Sequence, residues 1–193
     1  GIPARLIRVG FVGELGYEIH VPQQYGEALW DALMSAGNEH NIQPFGIEAQ
    51  RVLRLEKGHI IIGQDTDAMS NPNEVQMGWA VSRNKPFFVG GRTIAELEKK
   101  SSLRCLVGFV IDDSEAPMPK ESHLVVDDEQ MTGRVTSCNF SPTLGKAIGL
   151  AYVPPQKTGA GSTIEIKSLG GVRVLAKVVE LPFFDPDNAR QEL

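Results

Sequence analysis

The stretch GFVGELGYEIHV, residues 10–21, places a carboxylate in a predicted β-strand directly after three glycines spaced three residues apart. Residues 16–21 alternate as in a strand, so we expect Glu18 and His20 on the face opposite Tyr17. The glycines allow a tight turn and the close approach of a ligand. A carboxylate held there can accept two parallel N–H bonds from a flat heterocycle. A glutamate on a half-exposed strand more often simply faces water, so both interpretations of Glu18 stay open.

The elements around this stretch predict a hairpin and three helices in the first hundred residues. The pattern indicates a glycine-punctuated strand pair at 5–21 and helices at 23–36 and 46–57. A short apolar strand at 58–63, a turn-rich loop at 64–78, a brief extended piece at 79–81 and a third helix at 92–100 follow. So few strands and helices form a thin sheet, which is marginal as an independent core.

The character of the chain changes near residue 102. Short strands separated by turn signals follow at regular spacing, with no helix between them: 103–111, 123–126, 132–139, 147–153, 162–166 and 172–180. This pattern is typical of a small antiparallel barrel or sandwich. We therefore predict an α+β protein with a domain boundary near residue 102.

The composition excludes several classes of partner and cofactor. A net charge of −5, with no cluster of basic residues, argues against nucleic acid. No apolar run of about 18 residues and no basic-then-apolar leader occurs, which predicts no membrane span and no signal peptide. The use of cysteine predicts a cytoplasmic protein. The two cysteines are expected to be reduced thiols, and the four scattered histidines predict no metal site. Because the glycine spacing G-x-x-G-x-x-G leads into a strand, it predicts no dinucleotide or flavin site.

Several ordered motifs resemble the glycine-cleavage T-protein, or aminomethyltransferase, family. The opening stretch looks like that family's folate-binding signature, and further motifs follow in the family's order: LRLEKG at 53–58, GQDTD at 63–67, KPFFVG at 85–90, GRVTS at 133–137, SPTLG at 141–145 and FFDP at 183–186. The residues of these motifs are most similar to the T-protein-like C-terminal region of the sarcosine oxidase α subunit. The resemblance implies the C-terminal half of a T-protein folate-binding core, residues 1–102, followed by a small antiparallel β-barrel domain, residues 103–193.

The resemblance also implies a tetrahydrofolate site. The resemblance implies that Glu18 is the carboxylate that binds the pterin in this family, and a carboxylate suits the two adjacent N–H donors of the pterin. Glu14 is expected in the preceding turn. Trp79 falls where the family stacks an aromatic ring on folate, although tryptophan is also a common core residue. Gln50 stands where T-proteins carry an arginine that contacts folate, and Phe11 stands where they carry a tyrosine. These two departures suggest altered or weaker ligand contact.

Two charged residues complete the implied folate-binding set. Arg54 lies on the second predicted helix, and Asp65 lies in the turn-rich loop that shapes the family's folate cleft. For Arg54 the pattern favours a structural role, and for Asp65 the capping of a turn or of the next helix is the commoner use. We therefore expect Arg54 and Asp65 to contribute either to the ligand or to the architecture around it.

The implied function is the transfer of a one-carbon unit to tetrahydrofolate, as in aminomethyltransferase or sarcosine oxidase. The donor would be an aminomethyl group on a lipoyl arm in the first case, and an imine formed by flavin chemistry in a partner subunit in the second. The family's catalytic aspartate lies in an upstream half that has no counterpart here, so we expect no catalytic residue in this chain. Expected partners are folate, an upstream T-protein-like half, other oxidase subunits or a second copy.

Two questions stay open at this point. The chain is expected to be a fragment, a split gene product or a truncated relative of the T-proteins. The alternative to a folate-binding enzyme module is a non-catalytic interaction or scaffold domain, which kept the fold and lost the ligand.

Overall fold

A closed antiparallel barrel occupies the C-terminal part of the computed structural model, which describes residues 1–100, 102 and 104–192. Its strands are β3 (Cys105–Ile111), β4 (Leu124–Asp127), β5 (Gln130–Ser141), β6 (Lys146–Val153), β7 (Thr163–Lys167) and β8 (Arg173–Val179). They are ordered β3-β6-β5-β4-β7-β8, and β3 closes the barrel by pairing with both β6 and β8. The predicted barrel is therefore confirmed. Leu103, the predicted first residue of β3, lies outside the described residues.

Side chains of β3 point alternately into the barrel and toward its outer face. Val107 and Phe109 point into the barrel and belong to its buried core, whereas Leu106 points outward into a second apolar cluster. Strand β6 is buried along both faces for the same reason, which explains its nearly continuous apolar sequence. The barrel thus has an outer face that can receive a helix.

The helix on that outer face is α2 (Ile47–Glu56). Its last turn packs Leu55 against Leu150 and Tyr152 of β6, within the second apolar cluster. Gly58 ends this segment in the left-handed conformation, with φ of 70°, as a residue just past a helix often does. The LRLEKG motif, which resembles that of the family, therefore packs the helical part of the chain against the barrel.

The remaining elements of the first part bury little of their surface. The hairpin consists of β1 (Arg5–Arg8) and β2 (Tyr17–His20), and the helices α1 (Gly26–Gly37) and α3 (Gly91–Glu98) follow it along the chain. The predicted strand pair and all three predicted helices are confirmed, the first helix after one 3-10 turn at Gln23–Tyr25. Neither α1 nor α3 has a buried residue. The predicted boundary near residue 102 stays a prediction.

Two extended pieces that the sequence predicts are wrong. Residues 58–63 form turns and irregular backbone rather than a strand, because side chains take the backbone groups that a partner strand would pair. Arg54 donates to the carbonyl of His59, and the Asp65 carboxylate accepts from the N–H of Ile61. The piece expected at 79–81 is instead a 3-10 turn at Gly78–Ala80.

Three further expectations from the composition can be compared with the described residues. Cys105 and Cys138 are both free, and burial raises the pKa of the Cys138 thiol to about 12. No described helix is long and apolar enough to cross a membrane. Within the same described ranges, no group of three or more histidine, cysteine or acidic side chains could hold a metal ion.

Replacement of Gly133 by alanine tests the barrel packing. A Cβ atom at Gly133 would lie 1.9 Å from the carbonyl oxygen of Tyr152 on the paired strand β6, so the strands must move apart. We expect Gly133→Ala to lower the free energy of unfolding by about 3 kcal/mol in urea denaturation. The control Gly159→Ala meets only Ser162 Oγ at 3.6 Å and should change stability by less than about 0.5 kcal/mol. Equal effects would contradict the strand register.

Candidate ligand cleft and its supporting network

One cleft lies beside the glycine loop, which we define as residues 9–16 between β1 and β2. It has a volume of about 510 Å³ and is lined by the loop, the end of α2, the segment before Trp79 and the chain after β8. Phe11 and Trp79 both line it, so the structure brings together the two aromatic residues that the sequence assigns to folate. Trp79 is 79% exposed and offers an open ring face to a ligand.

The glycine loop is held against the end of α2 by two contacts. The Phe11 ring stacks on His59 with centroids 6.1 Å apart, and the Phe11 carbonyl accepts a hydrogen bond from His59 Nδ1 at 2.8 Å. Gly13 has φ of 79° and lies so close to Lys57 that a Cβ atom there would be 3.1 Å from its side-chain carbons. The loop therefore needs glycine at residue 13 for both its conformation and its close approach.

The two glutamates of the glycine-rich stretch have different surroundings. Glu18 on β2 has a side chain that is 57% exposed, and its Oε2 lies 3.0 Å from His20 Nε2. The predicted sharing of one strand face by Glu18 and His20 is therefore confirmed. Glu14 lies in the loop and accepts a hydrogen bond from Arg190 at 2.9 Å. Glu18 is not among the residues that line the cleft, whereas Glu14 lines a smaller cavity of about 120 Å³.

Arg54 belongs to a buried ion pair. It is 2% exposed, and its Nη1 donates to Asp65 Oδ2 at 2.7 Å and to the carbonyl of His59 at 2.9 Å. Its Nη2 donates to Ser137 Oγ on strand β5 at 2.7 Å. One side chain therefore joins α2, the turn segment after it and the barrel.

Asp65 completes that network. It is fully buried, and its carboxylate accepts hydrogen bonds from Thr136 Oγ1 at 2.6 Å, from Ser137 Oγ at 2.6 Å and from the N–H of Ile61 at 2.8 Å. Neither Arg54 nor Asp65 lines the cleft beside the glycine loop, and burial leaves a ligand little of either side chain to contact. The geometry supports the structural alternative for both, and direct contact with folate stays an untested prediction.

Asp67 forms a second charged cluster on the same loop. Its carboxylate accepts hydrogen bonds from Arg104 at 3.2 and 3.3 Å and from Arg134 at 3.3 Å. The hydrogen bonds from Arg104 and then Ser70 hold the pKa of the Asp67 carboxyl well below its usual range, against the opposing effect of desolvation. The Arg104 guanidinium also lies 4.4 Å from the centroid of the Tyr152 ring. The loop is thereby fastened to the barrel.

Gln50 and the residues that sequence reasoning missed complete the description. Gln50 is half-buried on α2 and makes no side-chain hydrogen bond within the described ranges. The motif signals did not single out Lys57, His59 or Arg190, although all three contact the glycine loop. The available signal was their position along the chain, since Lys57 lies within LRLEKG, His59 directly follows that motif, and Arg190 lies shortly after FFDP.

The family of the chain follows from comparisons with known proteins. Two family models match it: the GCVT N-terminal domain over residues 1–85 and the glycine cleavage T-protein C-terminal barrel domain over residues 104–185. The chain is similar to a crystal structure of glycine cleavage system aminomethyltransferase T from Bartonella henselae, with a TM-score of 0.82 and 28% identity. That match covers 92% of this chain and 49% of the other. The chain belongs to the glycine-cleavage T-protein family, as its motifs predict.

Curated relatives of two kinds show the same similarity. Sarcosine oxidase subunit alpha of Corynebacterium sp. (strain P-1) is 36% identical over 200 residues, which are 100% of this chain and 20% of the relative. The aminomethyltransferase of Halothermothrix orenii is 35% identical over 183 residues, which are 95% of this chain and 50% of the relative. The chain thus spans half the length of that aminomethyltransferase and a fifth of that oxidase subunit.

Arg54→Met should destabilise the protein strongly, because it leaves the Asp65 carboxylate buried without its cation. We expect a loss of about 3–5 kcal/mol in the free energy of unfolding, measured by urea denaturation. The matched control is Arg51→Met on the same helix, where the Arg51–Glu48 pair is exposed and the loss should stay below about 1 kcal/mol. A similar loss in both variants would show that the Arg54–Asp65 pair stabilises the fold no more than an exposed ion pair does.

Asp67→Asn should change how stability depends on pH. Because the folded-state pKa of Asp67 is lowered, its contribution is complete above the unfolded value of 3.8 and is lost as the pH falls toward the folded value. The stability gap between wild type and Asp67→Asn should therefore shrink as the pH falls from 7 to 3. Since the Asp67 side chain is 39% exposed, the gap at pH 7 should be below about 1 kcal/mol.

Thermal unfolding at several pH values measures this gap. The control Asp31→Asn removes an exposed carboxylate of α1 that makes no ion pair among the described residues. A gap for Asp67→Asn that widens in acid would contradict the lowered pKa.

Proposed function

We propose that the chain is the folate-binding module of a T-protein-type enzyme, which transfers a one-carbon unit to tetrahydrofolate. One observation carries the proposal: the hairpin that bears the Glu18 carboxylate also delivers Phe11 to a cleft of about 510 Å³, where Trp79 presents an open ring. An exposed carboxylate and aromatic faces are the groups that a pterin can use. The cleft volume falls in the range of small-molecule sites.

The residues suit the separate parts of folate. Among the described residues, the Glu18 carboxylate is bonded only through Oε2 to His20, which leaves acceptor capacity for the two adjacent N–H donors of a pterin. Trp79 and Phe11 would stack on flat rings, and neither needs a hydroxyl group to do so. Gln50 supplies an uncharged amide where T-proteins carry arginine, so we expect weaker contact with the acidic tail of folate than an arginine would give.

The chain's contribution is to bind and orient folate. Tetrahydrofolate, when bound, supplies the nitrogen atoms that accept the one-carbon unit. Glu18 would fix the pterin edge, and the aromatic residues would fix its plane and exclude water from one face. The one-carbon donor and the acid–base groups are expected from the rest of a longer enzyme or from partner subunits, as the similarity to sarcosine oxidase subunit alpha and aminomethyltransferase suggests.

Titration with folinic acid, a stable reduced folate, tests the proposal directly. The Trp30→Phe variant leaves Trp79 as the single tryptophan, so its fluorescence reports on the cleft alone. Saturable quenching of Trp79 supports folate binding. No change in fluorescence, together with no binding heat in calorimetry, would overturn the proposal and favour the interaction or scaffold domain.

Glu18→Gln should weaken folinic acid binding about 30- to 1000-fold. The substitution keeps the size of the side chain but replaces one acceptor oxygen with a donor, so one bond becomes a donor–donor clash and charge assistance is lost. The expected cost is about 2–4 kcal/mol, at 1.4 kcal/mol for each tenfold. Calorimetric titration measures the dissociation constant.

The matched control for this substitution is Glu39→Gln. Like Glu18, Glu39 is an exposed glutamate near a histidine, with 3.7 Å between its Oε1 and His40 Nε2, and its replacement changes the net charge equally. Its affinity for folinic acid should stay within twofold of wild type. Unchanged binding by Glu18→Gln would place the pterin elsewhere.

A further inference from the structure

The chain after β8 returns to the candidate cleft. We define residues 181–191 as the C-terminal strap. Four of its residues, Leu181, Pro182, Pro186 and Asn188, line the same cleft as Phe11 and Trp79. The strap therefore contributes to the cleft although it follows the barrel in sequence.

The strap is folded around one carboxylate. Asp185 has φ of 52°, and its Oδ1 and Oδ2 accept hydrogen bonds from the N–H groups of Ala189 at 2.9 Å and Arg190 at 3.3 Å. Burial alone would raise the pKa of Asp185, but hydrogen bonds from Lys57 and from the Arg190 and Ala189 amides outweigh it and lower the pKa. The carboxylate is thus ionised at neutral pH and holds the turn together.

Lys57 connects this turn to α2 and to the glycine loop. Its Nζ donates to the Asp185 carbonyl at 2.5 Å and lies 3.2 Å from Asp185 Oδ2, and both side chains are at most 10% exposed. The carbon atoms of the same side chain pack against Gly13. One lysine at the end of α2 therefore contacts two segments that are distant from it in sequence.

The glycine loop is bonded mainly to the strap. The N–H of Leu15 donates to the Arg190 carbonyl at 3.0 Å, and Arg8 Nη2 donates to the Gln191 carbonyl at 2.6 Å. Arg190 also pairs with Glu14. Apart from the bond between His59 and Phe11, every hydrogen bond from the described hairpin to the rest of the described chain ends on the strap.

These contacts decide where the hairpin lies. A two-stranded sheet is marginal by itself, and β1 and β2 pair only with each other in the described sheets. We infer that the C-terminal strap positions the glycine loop at the cleft, with Lys57 and Asp185 as positioning residues. The consequence for ligand affinity rests on the proposed folate function, whereas the consequence for the loop itself does not.

Hydrogen–deuterium exchange of the ligand-free 193-residue chain tests the strap without any folate. Asp185→Ala should raise amide exchange of residues 9–16 about tenfold or more, because the bond to Leu15 then opens more often. Exchange in β3 and β6 should stay unchanged. Unchanged exchange of the glycine loop would overturn the inference, and so would an equal rise throughout the barrel, which would indicate a general loss of stability.

The second measurement is the affinity for folinic acid. Asp185→Ala should weaken it about tenfold or more, and Asp185→Asn, which keeps one oxygen acceptor, should recover part of the loss. The control Arg173→Ala breaks the Arg173–Glu165 pair on the barrel surface and should change neither affinity nor loop exchange. Arg190→Gln, at a half-exposed site, serves as a second strap variant should Asp185→Ala not fold.

The two proposals fail in different ways. A wild-type chain that does not bind folinic acid contradicts the folate proposal, while faster loop exchange in Asp185→Ala still supports the strap. A wild-type chain that binds folinic acid, combined with full affinity in both Asp185→Ala and Arg190→Gln, overturns the positioning role and leaves the folate proposal standing.

Discussion

The buried pair of Arg54 and Asp65 is the interaction on which the rest of the structure depends. It joins α2 to strand β5 and also takes the backbone groups of the segment between them. Two opposite charges can stay buried only because hydrogen bonds satisfy nearly all of their polar atoms. The pair therefore holds the end of α2 and the turn segment after it at fixed positions against the barrel. Lys57 and His59, which line the cleft, lie in this stretch.

The cleft is built from segments that are distant in sequence and held in place by different contacts. The barrel supports α2 through the apolar cluster around Leu55 and Tyr152, and α2 in turn presents Lys57 and His59 to the glycine loop. The strap closes this arrangement from the other end of the chain. The glycine loop is therefore held from two sides, by the end of α2 and by the strap.

The first part of the chain leaves apolar surface open. Trp30 on α1 and Ile47 at the start of α2 are more than half exposed, as are Phe45 and Ile62. Exposed apolar groups of this size mark surfaces that other protein or a ligand can cover. This agrees with the expectation that the thin α+β part needs a partner. The predicted partners for this surface remain an upstream T-protein-like half, an oxidase subunit or a second copy of the chain.

The sequence by itself determined the strand-rich C-terminal part, the three helices, the hairpin and the family, because these features depend on local periodicity and on motifs read in order. Its periodicity left a barrel and a sandwich open, and the choice of a barrel came from the resemblance. It also placed Glu18 and His20 on one strand face, since the side-chain period of a strand is two. Only the tertiary structure decided that residues 58–63 turn instead of pairing, and that Arg54 and Asp65 bind each other. It alone brought Lys57 and the strap to Gly13, because contacts between residues distant in sequence leave no local periodic trace.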